Sequence, residues 1–239
     1  MNPKISIDKS ITYSLIDEYY EILDNCIDKS LVIDIELPVR FESRSLGIEA
    51  IIYQLVITWS RAFREGNIII NLDIKKNPDV TNLYENEILF TIITYSWNRH
   101  KILDNKHEII PRESLKSINA DINLKMLKAE ILKGNKLLLT SFDHLPKNRG
   151  VLPCFEPNGV YIDNEFQLAE NLQNSLMKIV NFSNTTKSIY RKLGMNVINI
   201  IYELMKNTNE WAKTDENSVP LDPNVRGLYM QFFKKTRKK

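Results

Sequence analysis

Residues 198–212 read INIIYELMKNTNEWA, and this stretch decides how the rest of the chain is read. Glu203, Asn207 and Glu210 stand at i, i+4 and i+7, the spacing that aligns side chains on one face of a helix. Asn196 and Asn199 extend the same polar row backwards. Val197, Ile201, Leu204, Thr208 and Trp211 form an apolar row on the other side, suited to a core. Solvated helix faces are usually built from Lys and Glu, whereas each Asn costs about half a kcal/mol relative to Ala in a helix interior. A run of Asn there implies that the carboxamides are kept for a task rather than for helix stability.

Within this stretch, ELMKNTNEWA resembles the N-box of the GHKL class of ATP-binding domains: histidine kinases, gyrase B subunits, MutL proteins and the large heat-shock chaperone. Their pattern is E-L-x-x-N-x-x-[DE]-A. Glu203, Leu204, Asn207, Glu210 and Ala212 fit it, with Trp211 inserted before the alanine. The resemblance implies Mg²⁺ and ATP as ligands. Asn207 would ligate the ion through its side-chain oxygen, with Glu210 and Asn199 beside the nucleotide or the ion's waters. Glu203 would polarise the attacking water in members that hydrolyse. The chemistry is coherent, because Mg²⁺ takes few protein oxygens and completes its shell with phosphate and water. A carboxylate one turn away can serve as general base.

The glycines limit that resemblance. There are seven, at 47, 66, 134, 150, 159, 194 and 227, each isolated. They build no G-x-G-x-x-G, no P-loop and no G-x-S-x-G, so Rossmann and Walker-type nucleotide sites are not expected. The D-x-G-x-G and Gly-rich lid of a full GHKL site are also missing from the 239 residues. The expected nucleotide site is therefore incomplete in this chain. Either the chain is truncated, or a second polypeptide completes the site, or ATP has been lost and an interaction surface kept.

The remaining composition excludes other classes. A net charge of +2 supplies no field for nucleic acid, and no apolar run approaches the length of a bilayer span. The N-terminus MNPKISIDKS lacks an apolar secretory core. Cys26 and Cys154 stand far apart, as free thiols of a cytoplasmic protein would. His100, His107 and His144 show no ligand spacing.

Working back along the chain, residues 10–28 carry a helical apolar row with Ser10 as N-cap. Residues 31–37, LVIDIEL, alternate as a half-buried strand closed by Pro38. A charged connector, RFESRS, follows; Arg40 and Arg44 either pair with Glu42 or bind an anion. A helix over 46–64, stopped by Gly66, leads to the apolar strand NIIINL at 67–72. This strand–helix–strand run resembles the STAS-type α/β domains that partner anti-sigma kinases. Helices over 79–98 and 111–133, the latter ended by Gly134, a polar link at 101–108 and a third strand at 136–141 complete this part. Residues 143–163 are rich in Pro and Gly and include Lys147 and Arg149, a pair able to touch phosphate. A helix over 164–181, the long helix and a strand over 225–233 then precede the basic tail KKTRKK.

The expected fold class is α/β. Residues 1–142 form an N-terminal α/β layer with a short parallel sheet, 143–163 a linker, and 164–239 an incomplete GHKL-like (Bergerat) α/β sandwich. The expected function is that of a GHKL-class ATP-binding protein with Mg²⁺, a Mg-dependent ATPase or protein kinase once the missing half is supplied, together with a protein partner. The alternative is a non-catalytic interaction module using the same helix.

Overall fold

A computed structural model describes residues 2–42, 47–80, 83, 87–132, 136–143, 145, 152–180, 187–222 and 224–231, with backbone alone at 87, 180 and 187–193. The chain divides into two compact units, Met1–Ala120 and Asp121–Lys239.

The first unit alternates β1 (Lys4–Ser6), α1 (Tyr13–Asp28), β2 (Asp34–Leu37), α2 (Ile48–Ala62), β3 (Ile68–Ile70), α3 (Glu87–Ser96) and β4 (Ile102–Leu103). All four strands are parallel and lie in sequence order. Ile5, Ile35, Ile68 and Ile102 stand in register and are buried. α1 packs on α2 and α2 on α3. The three crossovers thus line one face, as right-handed connections between strands in sequence order require. The order of these strands never reverses, so the sheet lacks the switch point at which doubly wound sheets hold ligands. α3 is buried along its described length, as a helix that is apolar all round must be.

Two short strands escape the sequence pattern. β1 is three residues long and β4 two. β4 occupies part of the expected polar link, where Ile102 and Leu103 are buried as an edge strand. Asp104, just after it, accepts from the backbone N–H groups of Lys106, Glu108 and Ile74 at 2.8, 2.9 and 3.1 Å. Burial pushes its carboxyl up, but those N–H groups outweigh it and hold the group below the usual carboxylate range. The first helix starts after Thr12, not Ser10, whose hydroxyl is taken by Asp8 at 2.6 Å. In the charged connector Glu42 pairs with Lys9 at 3.2 Å; Arg44 lies outside the described residues.

A buried polar chain joins α2 to the sheet. The Trp59 indole N–H donates to the Ile33 carbonyl at 2.8 Å. His100 Nδ1 donates to the Gly66 carbonyl at 2.8 Å, which leaves Nε2 to accept from the Ser60 hydroxyl at 2.6 Å. The Trp59 and His100 rings lie 4.4 Å apart. Gly66 is required here for space: a Cβ would stand 2.6 Å from the Ile33 oxygen and 2.8 Å from Trp59 Cζ2.

The second unit holds β5 (Lys136–Phe142), α5 (Glu165–Val180), α6 (Lys187–Trp211) and β6 (Val225–Gln231). A further helix, α4 (Arg112–Leu127), spans the division between units; the Gly134 expected to end it lies outside the described residues. β5 and β6 pair antiparallel, from Lys136↔Gln231 to Phe142↔Val225. This changes the expected organisation. Residues 136–142 belong with the C-terminal strand, not with the N-terminal layer, and the division falls near residue 120 rather than in 143–163. Apolar alternation identifies a strand but not its partner, and here the partner lies far along the chain. α5 packs on both β5 and α6, giving a two-stranded ribbon the helical cover it needs.

Two outcomes test the first unit. Gly66→Ala is expected to cost about 2–3 kcal/mol in urea unfolding, because the added methyl meets backbone and a fully buried ring. Burial holds the His100 imidazole below its ordinary pKa, against the favourable Gly66 carbonyl. The unfolded chain therefore takes up the proton first, and stability falls as pH drops below about 6.5. Thermal midpoints measured from pH 8 to 5 should decline on the acid side, and His100→Asn should flatten that decline.

Candidate functional site

α6 is the element on which the site was expected. Its buried side is Ile198, Ile201 and Met205. Of the apolar row expected to face the core, only Ile201 does so fully. Leu204 is 57% exposed and Trp211 76% exposed. The helix carries two overlapping apolar rows at helical spacing, and the core took the row set one residue away. Packing against α5 selects between them, which periodicity alone does not.

Glu203, Asn207, Glu210, Asn199 and Asn196 are all exposed. The row of side-chain oxygens is therefore brought together on the outward side of α6. Beside it, Asp163 accepts from the Tyr202 hydroxyl at 2.7 Å and from Lys206 Nζ at 3.2 Å. Those two donors hold the Asp163 carboxyl below the usual carboxylate range, and the same contact raises Lys206. The Tyr161 hydroxyl donates to the Tyr202 carbonyl at 3.2 Å. Burial first, then the charges of Tyr202, Asp163, Glu156 and Glu203, pushes that phenol up to about 12. The loop ahead of α5 is thus tied along one flank of α6, leaving Glu203 and Asn207 uncovered.

Among the described residues no three of His, Cys, Asp and Glu converge to hold a metal. An ion at Asn207 would draw most of its ligands from phosphate and water, which suits Mg²⁺. Cys26 and Cys154 are free and buried, and burial pushes the Cys154 thiol up to about 12. No described helix is long and apolar enough to cross a membrane. Lys147, Arg149 and the basic tail lie outside the described residues.

Sequence reasoning missed the charged cluster that fixes the end of α6. Arg226, at the start of β6, is buried. Its Nε and Nη2 reach the two Asp143 oxygens at 2.7 and 2.8 Å, and Nη2 lies 2.6 Å from Glu156 Oε1. Asn224 Nδ2 donates to the Ala212 carbonyl at 3.0 Å and to Asp143 at 3.2 Å. Four segments meet here: the end of β5, the loop before α5, the end of α6 and the start of β6. The one sequence signal was an arginine inside an apolar strand, VRGLYMQFF.

No family model, no curated protein and no solved structure matches this chain.

Replacing Arg226 by Met leaves the Asp143 and Glu156 carboxylates with only the half-exposed Lys213, 4.0 Å from Glu156, as counter-charge. The expected loss is about 3–5 kcal/mol in urea unfolding. Adding Glu156→Gln and Asp143→Asn to that variant should restore part of it, since the uncompensated charge is the cause.

Proposed function

We propose that the second unit carries one wall of a GHKL-type ATP site, completed by protein beyond the boxes present here. The observation that carries this reading is the joint placement of Glu203, Asn207, Glu210 and Asn199 on the open side of a helix. Two further features support it. The chain runs from that helix through a loop into a strand, the order the resemblance implies. The Arg226 cluster also holds helix end and strand start together, so the polar row sits on a braced element.

In this reading Asn207 Oδ1 holds the ion, and Glu210 and Asn199 hold its waters or the nucleotide. Mg²⁺, when bound, neutralises phosphate charge and orients the phosphates. Glu203, one turn before Asn207, positions a water and accepts its proton where hydrolysis occurs. With the adenine-binding Asp and the lid missing from the sequence, affinity in the isolated chain is weak. A partner protein would supply the remainder of the site.

An interaction module without nucleotide is the second reading. The exposure of Leu204 and Trp211 favours it.

Calorimetry with Mg·ATP at millimolar concentration separates the two. The expected result is weak, Mg²⁺-dependent binding that Asn207→Ala abolishes while leaving the thermal midpoint within about 1 °C, as for other exposed substitutions. Binding unchanged in Asn207→Ala removes that residue from the site. No heat at any concentration in the wild-type chain, alone or with partner, favours the interaction module.

A further inference from the structure

We propose that the outward apolar row of α6 is a docking seam for an amphipathic helix of another polypeptide, one that carries Lys or Arg beside its own apolar row. Val197, Ile200, Leu204, Asn207 and Trp211 follow one another at alternating steps of three and four residues. That is the a/d repeat of a helix that pairs with another helix. It is a separate row from Ile198, Ile201 and Met205, which the unit's own core consumes. Ile200 is 59% exposed, beside Leu204 and Trp211. Isolated apolar side chains at a surface need no explanation, but three large ones in one row form a patch that marks an interface. Asn207 falls inside the seam, where a single polar residue sets register at some cost in stability.

The flanks define the occupant. One flank consists of Ile201 and Thr208, which turn toward the unit's own core, Ile201 fully buried and Thr208 partly covered. The other is Asn196, Glu203 and Glu210, all exposed. The nearby cation Lys206 is held by Asp163 at 3.2 Å. Among the described residues, the flank open to a partner is therefore acidic. A second copy of α6 does not fit it. Antiparallel pairing would set these glutamates against their counterparts, and parallel pairing would need the flank that is already turned inward. A basic amphipathic helix satisfies both the apolar row and the carboxylates. Docked there it covers Asn207; the inference goes beyond the nucleotide reading and does not rest on it.

The probe is a synthetic helical peptide of about three heptads with Leu at its seam positions, one seam Asn, and Lys at the flanking positions. Its twin carries Glu for every Lys. Trp211 is the most exposed of the three tryptophans, Trp59 being fully buried and Trp97 half-buried, and a Trp211→Phe variant identifies its share of the signal. In nucleotide-free buffer the Lys peptide should shift the tryptophan emission to the blue, with half-saturation on the order of micromolar. The Glu twin should bind at least about tenfold more weakly, and Leu204→Lys should weaken the Lys peptide by about tenfold or more. Glu203→Lys combined with Glu210→Lys should reverse the preference between the peptides. All four substituted side chains are exposed, and circular dichroism checks that each variant keeps its fold. Equal binding of the two peptides, no blue shift with the Lys peptide, or indifference to Leu204→Lys would overturn the proposal. Each of these outcomes is independent of whether Asn207→Ala alters nucleotide binding.

Discussion

The second unit depends on the placement of one guanidinium. Arg226 meets Asp143 through two parallel hydrogen bonds and lies against Glu156, in a site that is closed to water on the arginine side. A bidentate pair of this kind fixes orientation as well as distance. Its members come from β5, from the loop before α5 and from β6, while Asn224 adds the last turn of α6. Desolvating these charges is costly, so the cluster persists only because every segment arrives in register. The position of the end of α6 follows from that constraint.

The first unit is held differently. Its strands run in sequence order, each joined to the next by a helix on one face, and the isoleucine row at the sheet centre supplies the apolar burial. The polar chain from Ser60 through His100 to Gly66, together with Trp59 on Ile33, satisfies groups that burial would otherwise leave unpaired. With no reversal of strand order, this sheet has no crevice at a topological switch point.

Much of this was legible in the chain. Leu31 to Leu37 alternates, NIIINL is continuously apolar, and the periodic helices at 48–62 and 165–180 appear close to where their patterns place them. The α/β class followed from that alternation. β1 and β4 did not, because two or three residues carry no period, and they exist only as additions to a sheet already formed. His100 gave no sign of its burial, since nothing in its neighbourhood announces Ser60 and Gly66 as partners.

For the candidate site the division is sharper. Sequence alone placed Glu203, Asn207 and Glu210 on one helical face, because a fixed 3.6-residue turn makes that a matter of spacing. It could not say which of two overlapping apolar rows would turn inward. The outcome was decided by the surface of α5 that α6 had to meet. The partner of strand 136–142, the closure of Arg226 on Asp143 and the exposure of Leu204 and Trp211 all belong to that second kind of information. They arise from contacts between segments distant in the chain, and local periodicity carries no record of such contacts.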